Sequence, residues 1–234
     1  MSIRSKDGSM RIVSLVPSVT ETLSLWNRTP VACTRFCERP DVETVGGTKN
    51  PDLEHIVSLA PDLVVVDAEE NRREDYDALV NLGLAVHVLH VRDLRDVEPM
   101  MSELAIRVDA NWRSLEVGDA TPTHVSAFIP IWRRPWMALG APTYGASLLA
   151  HLGVANVFVD AGPYPDVELA SVREHHPDVV LAPSEPYPFG ERHRVELESV
   201  APTTLVDGKD VFWWGERTRD ALARLAAVVA SLGP

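Results

Sequence analysis

The residues of this chain best suited to chemistry are aromatic, basic and acidic side chains gathered in short polar segments. Arg35 and Phe36 stand together, Lys49 follows Gly46-Gly47-Thr48, and Glu69, Glu70 and Asn71 are consecutive. Farther on come Trp132, Arg133, Arg134 and Trp136, then Glu185, Tyr187, Phe189, Arg192 and His193, then Gly208, Lys209, Trp213 and Trp214. Four of the six tryptophans fall in these segments. Loop tryptophans beside charged groups suit stacking on a flat or bulky ligand better than bond making. Trp213 and Trp214 equally suit closing the interface between two lobes.

Templates for turnover are missing. No GxSxG, GxxxxGK(S/T) or HExxH occurs, and no GxGxxG follows the first strand. His87 and His90 are three apart on one strand, so they point to opposite faces and cannot chelate one metal. His175-His176 precedes Pro177 and reads as a helix cap. Cys33 and Cys37 are the only cysteines. In extended chain they would lie about 13 Å apart, too far for a disulfide, although a turn could close the gap. With no export signal, no second pair and no nearby histidine, they read as free packing thiols rather than a zinc site. No catalytic residue, metal or obligatory cofactor is assigned.

The segments need a frame, and hydropathy supplies one that alternates strand and helix. Strands are expected at 11–17, 31–36, 63–67, 85–91, 123–131, 154–159, 179–183 and 203–207. Helices are expected after Pro17-Ser18, from Asn50-Pro51-Asp52, over 71–82, 92–108, 143–152 and 166–175, up to about Ser199, and over 216–232. Such alternation implies an α/β fold with parallel sheets flanked by helices. Ligands of open parallel sheets bind beyond the carboxyl ends of the strands, where all the segments above fall.

An internal echo divides the frame in two. PDLEHIVSLAPDLVVVD (51–67) and PDVELASVREHHPDVVLAP (165–183) share a short helical run, a Pro-Asp turn and a β-branched strand. Pro61 and Pro177 mark equivalent points 116 residues apart, about half the chain. Duplication predicts two similar lobes facing across a ligand cleft: an N-terminal α/β lobe at 1–91, a bridging helix and junction at 92–122, and a C-terminal α/β lobe at 123–234. The same offset makes Glu69 and Glu185 equivalents. Glu185 is read as a ligand contact, and Glu69 as a cap at the cleft mouth.

A net charge of −12 argues against nucleic acid, which demands a basic surplus. No run approaches the length of a membrane span, and the first ten residues contain no apolar leader, so membrane insertion is not expected and a cytoplasmic location is.

RIVSLVPSVTETL (11–23), VGGTKNPDLEHIVSLAPDLVVVD (45–67) and APTYGASLLAHLGVANVF (141–158) resemble the class of substrate-binding proteins for cobalamin and ferric siderophores, over most of residues 11–232. The loops TRFCERP, FIPIWRRPWM and SEPYPFGERH are similar to a signal-less subset of that class. The resemblance implies two α/β lobes bridged by one long helix, with a rigid cleft holding a corrinoid or metal chelate. It also implies a glutamate on each lobe that docks on an ABC permease. Glu54 stands at the first such position and Ala170 at the second. Only 92–108 carries clean helical patterning where the class has its bridge, and a short bridge would favour pairing of chains into a homo-oligomer. The expected ligand contacts are Arg35, Phe36, Lys49 and Glu69 in the first lobe. In the second they are Trp132, Arg133, Trp136, Glu185, Tyr187, Arg192, His193, Trp213 and Trp214. Such a charged, aromatic site suits a metal chelate or anionic ring compound better than a neutral sugar. Two other functions compete with ligand capture: a cytoplasmic enzyme or handler of a metal or tetrapyrrole-type compound, and a regulatory or scaffold protein.

Overall fold

The computed structural model describes residues 10–232. Residues 1–9, which hold most of the N-terminal stretch read as leaderless, lie outside the described residues. The chain divides into two compact units. One runs to Val91 and resumes over Asp96–Leu115, and the other comprises Arg92–Arg95 and the chain from Glu116 onward.

The first unit is built on a parallel sheet. Its elements are β1 (Ile12–Ser14), α1 (Pro17–Leu25), β2 (Ala32–Cys33), β3 (Glu43–Thr44), β4 (Gly46–Gly47), β5 (Asn50–Pro51), α2 (Leu53–Ser58), β6 (Leu63–Asp67), α3 (Arg73–Asn81), β7 (Val86–Leu89) and α4 (Val97–Arg107). The strand order is β3-β2-β1-β6-β7, with every pairing parallel. The central strand LVVVD is buried at every position, as a strand covered on both faces must be. Val13, Leu15, Val64, Val66, Ile56 and Leu79 form the core around it.

The second unit repeats this plan. It contains β8 (Val125–Phe128), β9 (Pro130–Trp132), β10 (Trp136–Ala138), α5 (Tyr144–His151), β11 (Val154–Asn156), β12 (Asp166–Val167), α6 (Leu169–Glu174), β13 (Val179–Pro183), α7 (Arg194–Glu198), β14 (Thr203–Val206), α8 (Gly208–Phe212) and α9 (Thr218–Ala230). Its parallel sheet has the order β11-β8-β13-β14, matching β2-β1-β6-β7. The 116-residue offset maps β5 onto β12, α2 onto α6 and β6 onto β13 end for end.

The shared Pro-Asp turn has a physical reason. Helices α2 and α6 each stop at a residue in the left-handed region, Ala60 (φ 45°) and His176 (φ 47°). Proline follows because it cannot continue a helix. The next residue is an aspartate whose Oδ2 accepts from the backbone N–H at the start of the neighbouring strand: Arg11 to Asp62 at 2.8 Å, and Ser126 to Asp178 at 2.7 Å. Each clamp sets where the central strand begins against its partner.

Four sequence expectations are corrected. Segment 123–131 is two strands rather than one, and Pro130, which has no N–H for a ladder, opens the second. Segment 166–175 starts as strand, because Trp136 and Met137 pair with Val167 and Asp166 in a small antiparallel sheet; its helix begins only at Leu169. Residues 92–108 do not form one helix, since Leu94–Asp96 is a 3-10 turn and α4 starts at Val97. Nor are 92–122 a separate body, because α4 belongs to the first unit, where Glu98 takes hydrogen bonds from Trp112 Nε1 (2.9 Å) and Ser114 Oγ (3.2 Å). Among the described residues no helix is long and apolar enough to cross a membrane.

His87 on β7 is buried, with Nδ1 3.8 Å from Glu103 of α4. Burial holds its imidazole below the usual histidine range, against the pull of Glu103 and with the help of Arg107. An unfolded chain binds this proton below pH of about 6.5, where the folded chain resists it, so stability falls as pH drops through that value. Urea midpoints at neutral and mildly acid pH should therefore differ, and the difference should shrink in His87→Leu. An unchanged difference would place the acid sensitivity elsewhere.

Candidate functional site

In the first unit the strand ends are held by a polar network. Asp67, the last residue of β6, accepts at Oδ1 from the N–H groups of Glu69 (2.9 Å) and Glu70 (3.1 Å), which turns the chain away from the sheet. Asn71 Nδ2 donates to Leu15 O (3.2 Å) and Thr48 O (3.0 Å), while its Oδ1 accepts from Asp67 N (2.8 Å). One side chain thus joins three strand-end segments. Burial pushes the Asp67 carboxyl up to about 6, against the two N–H donors.

The candidate residues sit on this platform. Lys49 Nζ donates to Glu69 O at 3.0 Å, and Glu69 Oε1 meets His90 Nε2 at 3.3 Å. Glu69 is therefore not the cap of its turn; Asp67 fills that role, and Glu69 pairs with a histidine. The Arg35 guanidinium lies 4.8 Å from the Phe36 ring centroid, and that ring is 49% exposed. Asn50 Oδ1 and the Arg35 guanidinium crowd Gly47, where a Cβ would stand 2.6 and 3.1 Å from them.

In the second unit the strand-end segments pack through rings. Trp132, 43% exposed, meets Tyr187 edge-on at 5.6 Å. Tyr187 packs on Phe189 (4.7 Å) and His193 (5.4 Å), and Trp136 stacks on Phe189 at 5.9 Å with a 6° interplanar angle. Arg133 Nε donates to Glu196 Oε2 at 2.8 Å, which fixes the segment between Trp132 and Trp136. His193 is 5% exposed. Its Nδ1 accepts from Gly190 N–H at 3.2 Å, and Nε2 lies 3.4 Å from Tyr187 Oη. Burial first, then the charges of Arg192 and Arg133, keep this imidazole below the usual histidine range. His193 is thus packed among these rings.

A second cluster follows β14. Lys209 and Arg217 stand 4.8 and 5.8 Å from the Trp213 ring, as cation–π partners. Asp210, buried, accepts from Arg217 (2.9 Å) and Arg224 (2.7 Å) and ties α8 to α9. Trp214 is only 4% exposed. Gly208 admits the Glu185 backbone, whose nitrogen would lie 2.5 Å from a Cβ at that position. A cavity of about 220 Å³ lies elsewhere in this unit, lined by Asp93, Arg95, Ser147 and His151 among others, and no candidate residue lines it. Among the described residues no group of three or more His, Cys, Asp or Glu could hold a metal ion.

The structure thus joins Arg35, Phe36, Lys49 and Glu69 along one edge, through Gly47 and Asn71. It joins Trp132, Arg133, Trp136, Tyr187, Arg192 and His193 along another. Asp67 is the residue the candidate set lacks, and its signal is its place at the end of an apolar run, while Asn71, already among the polar candidates, ties the strand ends together.

Two parallel sheets of matching order, each with its loops at the carboxyl ends, are the fold of the periplasmic binding proteins. The structure is similar to that of the periplasmic vitamin B12 binding protein BtuF of Vibrio cholerae, with a TM-score of 0.77 and 17% identity over 96% of this chain and 98% of that one. It is equally similar to the periplasmic heme-binding protein BhuT in complex with two hemes, with a TM-score of 0.77 and 18% identity over 96% and 99%. In sequence the chain is similar to vitamin B12-binding proteins. It is 26% identical over 189 residues to that of Salmonella choleraesuis, covering 73% of this chain and 71% of the relative. It is 23% identical over 202 residues to that of Pectobacterium atrosepticum, covering 73% and 70%. No protein-family model matches the chain. Sequence and fold together support the resemblance to the cobalamin, siderophore and heme class of periplasmic-binding-protein-like proteins.

Trp132 and Trp136 differ in what they support. Trp136→Ala removes a ring stacked on the core residue Phe189 and should cost roughly 2 kcal/mol or more, whereas exposed Trp132→Ala should cost under about 1 kcal/mol. Chemical denaturation of both variants checks this, and equal losses would contradict the ring geometry described.

Proposed function

We propose that this protein is a substrate-binding protein that captures a bulky ring-shaped ligand, a corrinoid, a heme or a ferric siderophore, without converting it. The observation that carries the reading is the sequence relation to proteins named vitamin B12-binding proteins over 73% of the chain. The site chemistry supports it. Each unit offers an exposed ring at its strand ends, Phe36 and Trp132, with an arginine beside each. Flat apolar ligands with anionic substituents need that combination. The buried His193 has Nδ1 committed to a backbone N–H and its ring wedged between Tyr187 and Phe189, so it is poorly placed as a general base.

Glu54 is exposed in the first turn of α2 and would be the first unit's contact with a permease, while Ala170 brings no charge to the same place on α6. The proposal is therefore one of ligand capture, with permease delivery a weaker extension.

Protein purified from its own host should carry a chromophore visible by absorbance and by native mass spectrometry. Empty protein should quench its tryptophan emission when titrated with cobalamin, hemin or a ferric siderophore. Trp132→Ala should weaken the ligand that binds by about tenfold, equivalent to 1.4 kcal/mol, with the fold unchanged. A chain that arrives empty and stays silent to all three would overturn the reading.

A further inference from the structure

The ligand-binding reading leaves Cys33 and Cys37 unused. Both are free and buried, 1% and 4% exposed. The chain is not extended between them. After β2 it turns, with Cys37 N–H donating to Thr34 O at 3.1 Å and Arg35 N–H to Gly46 O at 2.9 Å, and this packs the two cysteines into one buried cluster with Val42. Thr20 Oγ1, which also reaches Val16 O, lies 3.2 Å from Cys37 Sγ, and Thr34 Oγ1 lies 3.2 Å from the same sulfur.

One sulfur therefore lies beside two hydroxyls, with the second cysteine packed in the same cluster. Thiols that only fill space have no need of such an array, because a neutral thiol is a weak acceptor. A thiolate is a strong one. The hydrogen bond from Cys33, with those from Thr20 and Thr34, holds Cys37 below the ordinary thiol range despite burial, and the same pairing together with burial pushes Cys33 up. That direction supports Cys37, the sulfur beside the two hydroxyls, as the nucleophile. Cys37 lies between exposed Phe36 and Glu38 on the outer turn and is itself buried.

We propose that Cys33 and Cys37 form a redox-active dithiol that a hydroperoxide converts to an intrachain disulfide. The Cys37 thiolate attacks one oxygen of hydrogen peroxide. The O–O bond breaks, and the departing hydroxide takes a proton to become water, leaving Cys37 as a sulfenic acid. The Cys33 sulfur then attacks the Cys37 sulfur and the S–O bond breaks. Hydroxide leaves with the Cys33 proton as a second water. Two thiols have given up two electrons and two protons, and one peroxide has become two waters. The ring so closed contains Arg35 and Phe36, so oxidation constrains the first unit's candidate contacts whatever the ligand is.

The test uses the full reduced chain, treated with equimolar hydrogen peroxide at neutral pH. Both thiols should disappear together, with an intact mass lower by two hydrogens and reversal by dithiothreitol. Trypsin cuts after Arg35, between the two cysteines, so a non-reducing digest should show the two peptides joined. Cys33→Ser should stop at a sulfenic acid trapped by dimedone. The near-isosteric Thr20→Val should slow the loss of Cys37 several-fold without changing the unfolding midpoint appreciably, which a packing role would not produce. Thiols that stay inert in the folded chain yet react once it is unfolded would overturn the proposal, as would linkage between chains in place of linkage within one.

Discussion

Each unit depends on where its central strand begins. Strands β6 and β13 are buried throughout and paired in parallel on both sides, so a slip of one residue would put every side chain against the wrong layer. The hydrophobic run alone does not prevent that slip, because LVVV and VVLAP are apolar in either register. The carboxylates of Asp62 and Asp178 do so, each taking an N–H beside the first residue of the adjacent strand, that of Arg11 before β1 and that of Ser126 within β8. Asp178 is held below the usual carboxylate range by Ser126, whose hydroxyl and backbone N–H both reach it. A helix stopped at a left-handed residue, a proline and an aspartate thus form one device for launching a strand, used twice.

The same frame carries different edges. At the offset that superposes the two central strands, Asp67 of the first unit corresponds to Pro183 of the second. An aspartate can gather two backbone N–H groups, so the first unit leaves β6 by a tight polar turn into α3. Proline has no side-chain acceptor. The second unit leaves β13 by a longer path through Tyr187 and Phe189, whose backbone is fastened by ring packing and by the Arg133–Glu196 pair. One residue at one equivalent position separates a hydrogen-bonded platform from an aromatic one.

The frame was largely legible before any coordinates. Buried β-branched runs, Pro-Asp turns and the helix periods place the parallel strands within a few residues, and the repeat offset survives end for end in three element pairs. What sequence reasoning lost was decided by contacts remote in the chain. Asp166 and Val167 look helical locally but pair with Met137 and Trp136. Trp214 and His193 sit among exposed-looking polar neighbours, yet the structure buries both, and no local pattern reports that. Gly208 reads as a turn and instead opens a short helix against Glu185. The cysteines show the converse, since their spacing measured along an extended chain hid a turn that brings the thiols together.

The two edges also differ in how their cations are engaged. In the second unit, Arg133 is on Glu196, and Arg217 and Arg224 are on Asp210, so these charges are balanced by carboxylates and what the edge presents is the face of Trp132. In the first unit, Arg35 lies over a ring and Lys49 on a carbonyl, neither of which carries a countercharge. A compound with acidic substituents would find cations in the first unit, while the second unit by itself presents an exposed ring face. In a chain of net charge −12 those local cations are what would keep such a ligand from being repelled.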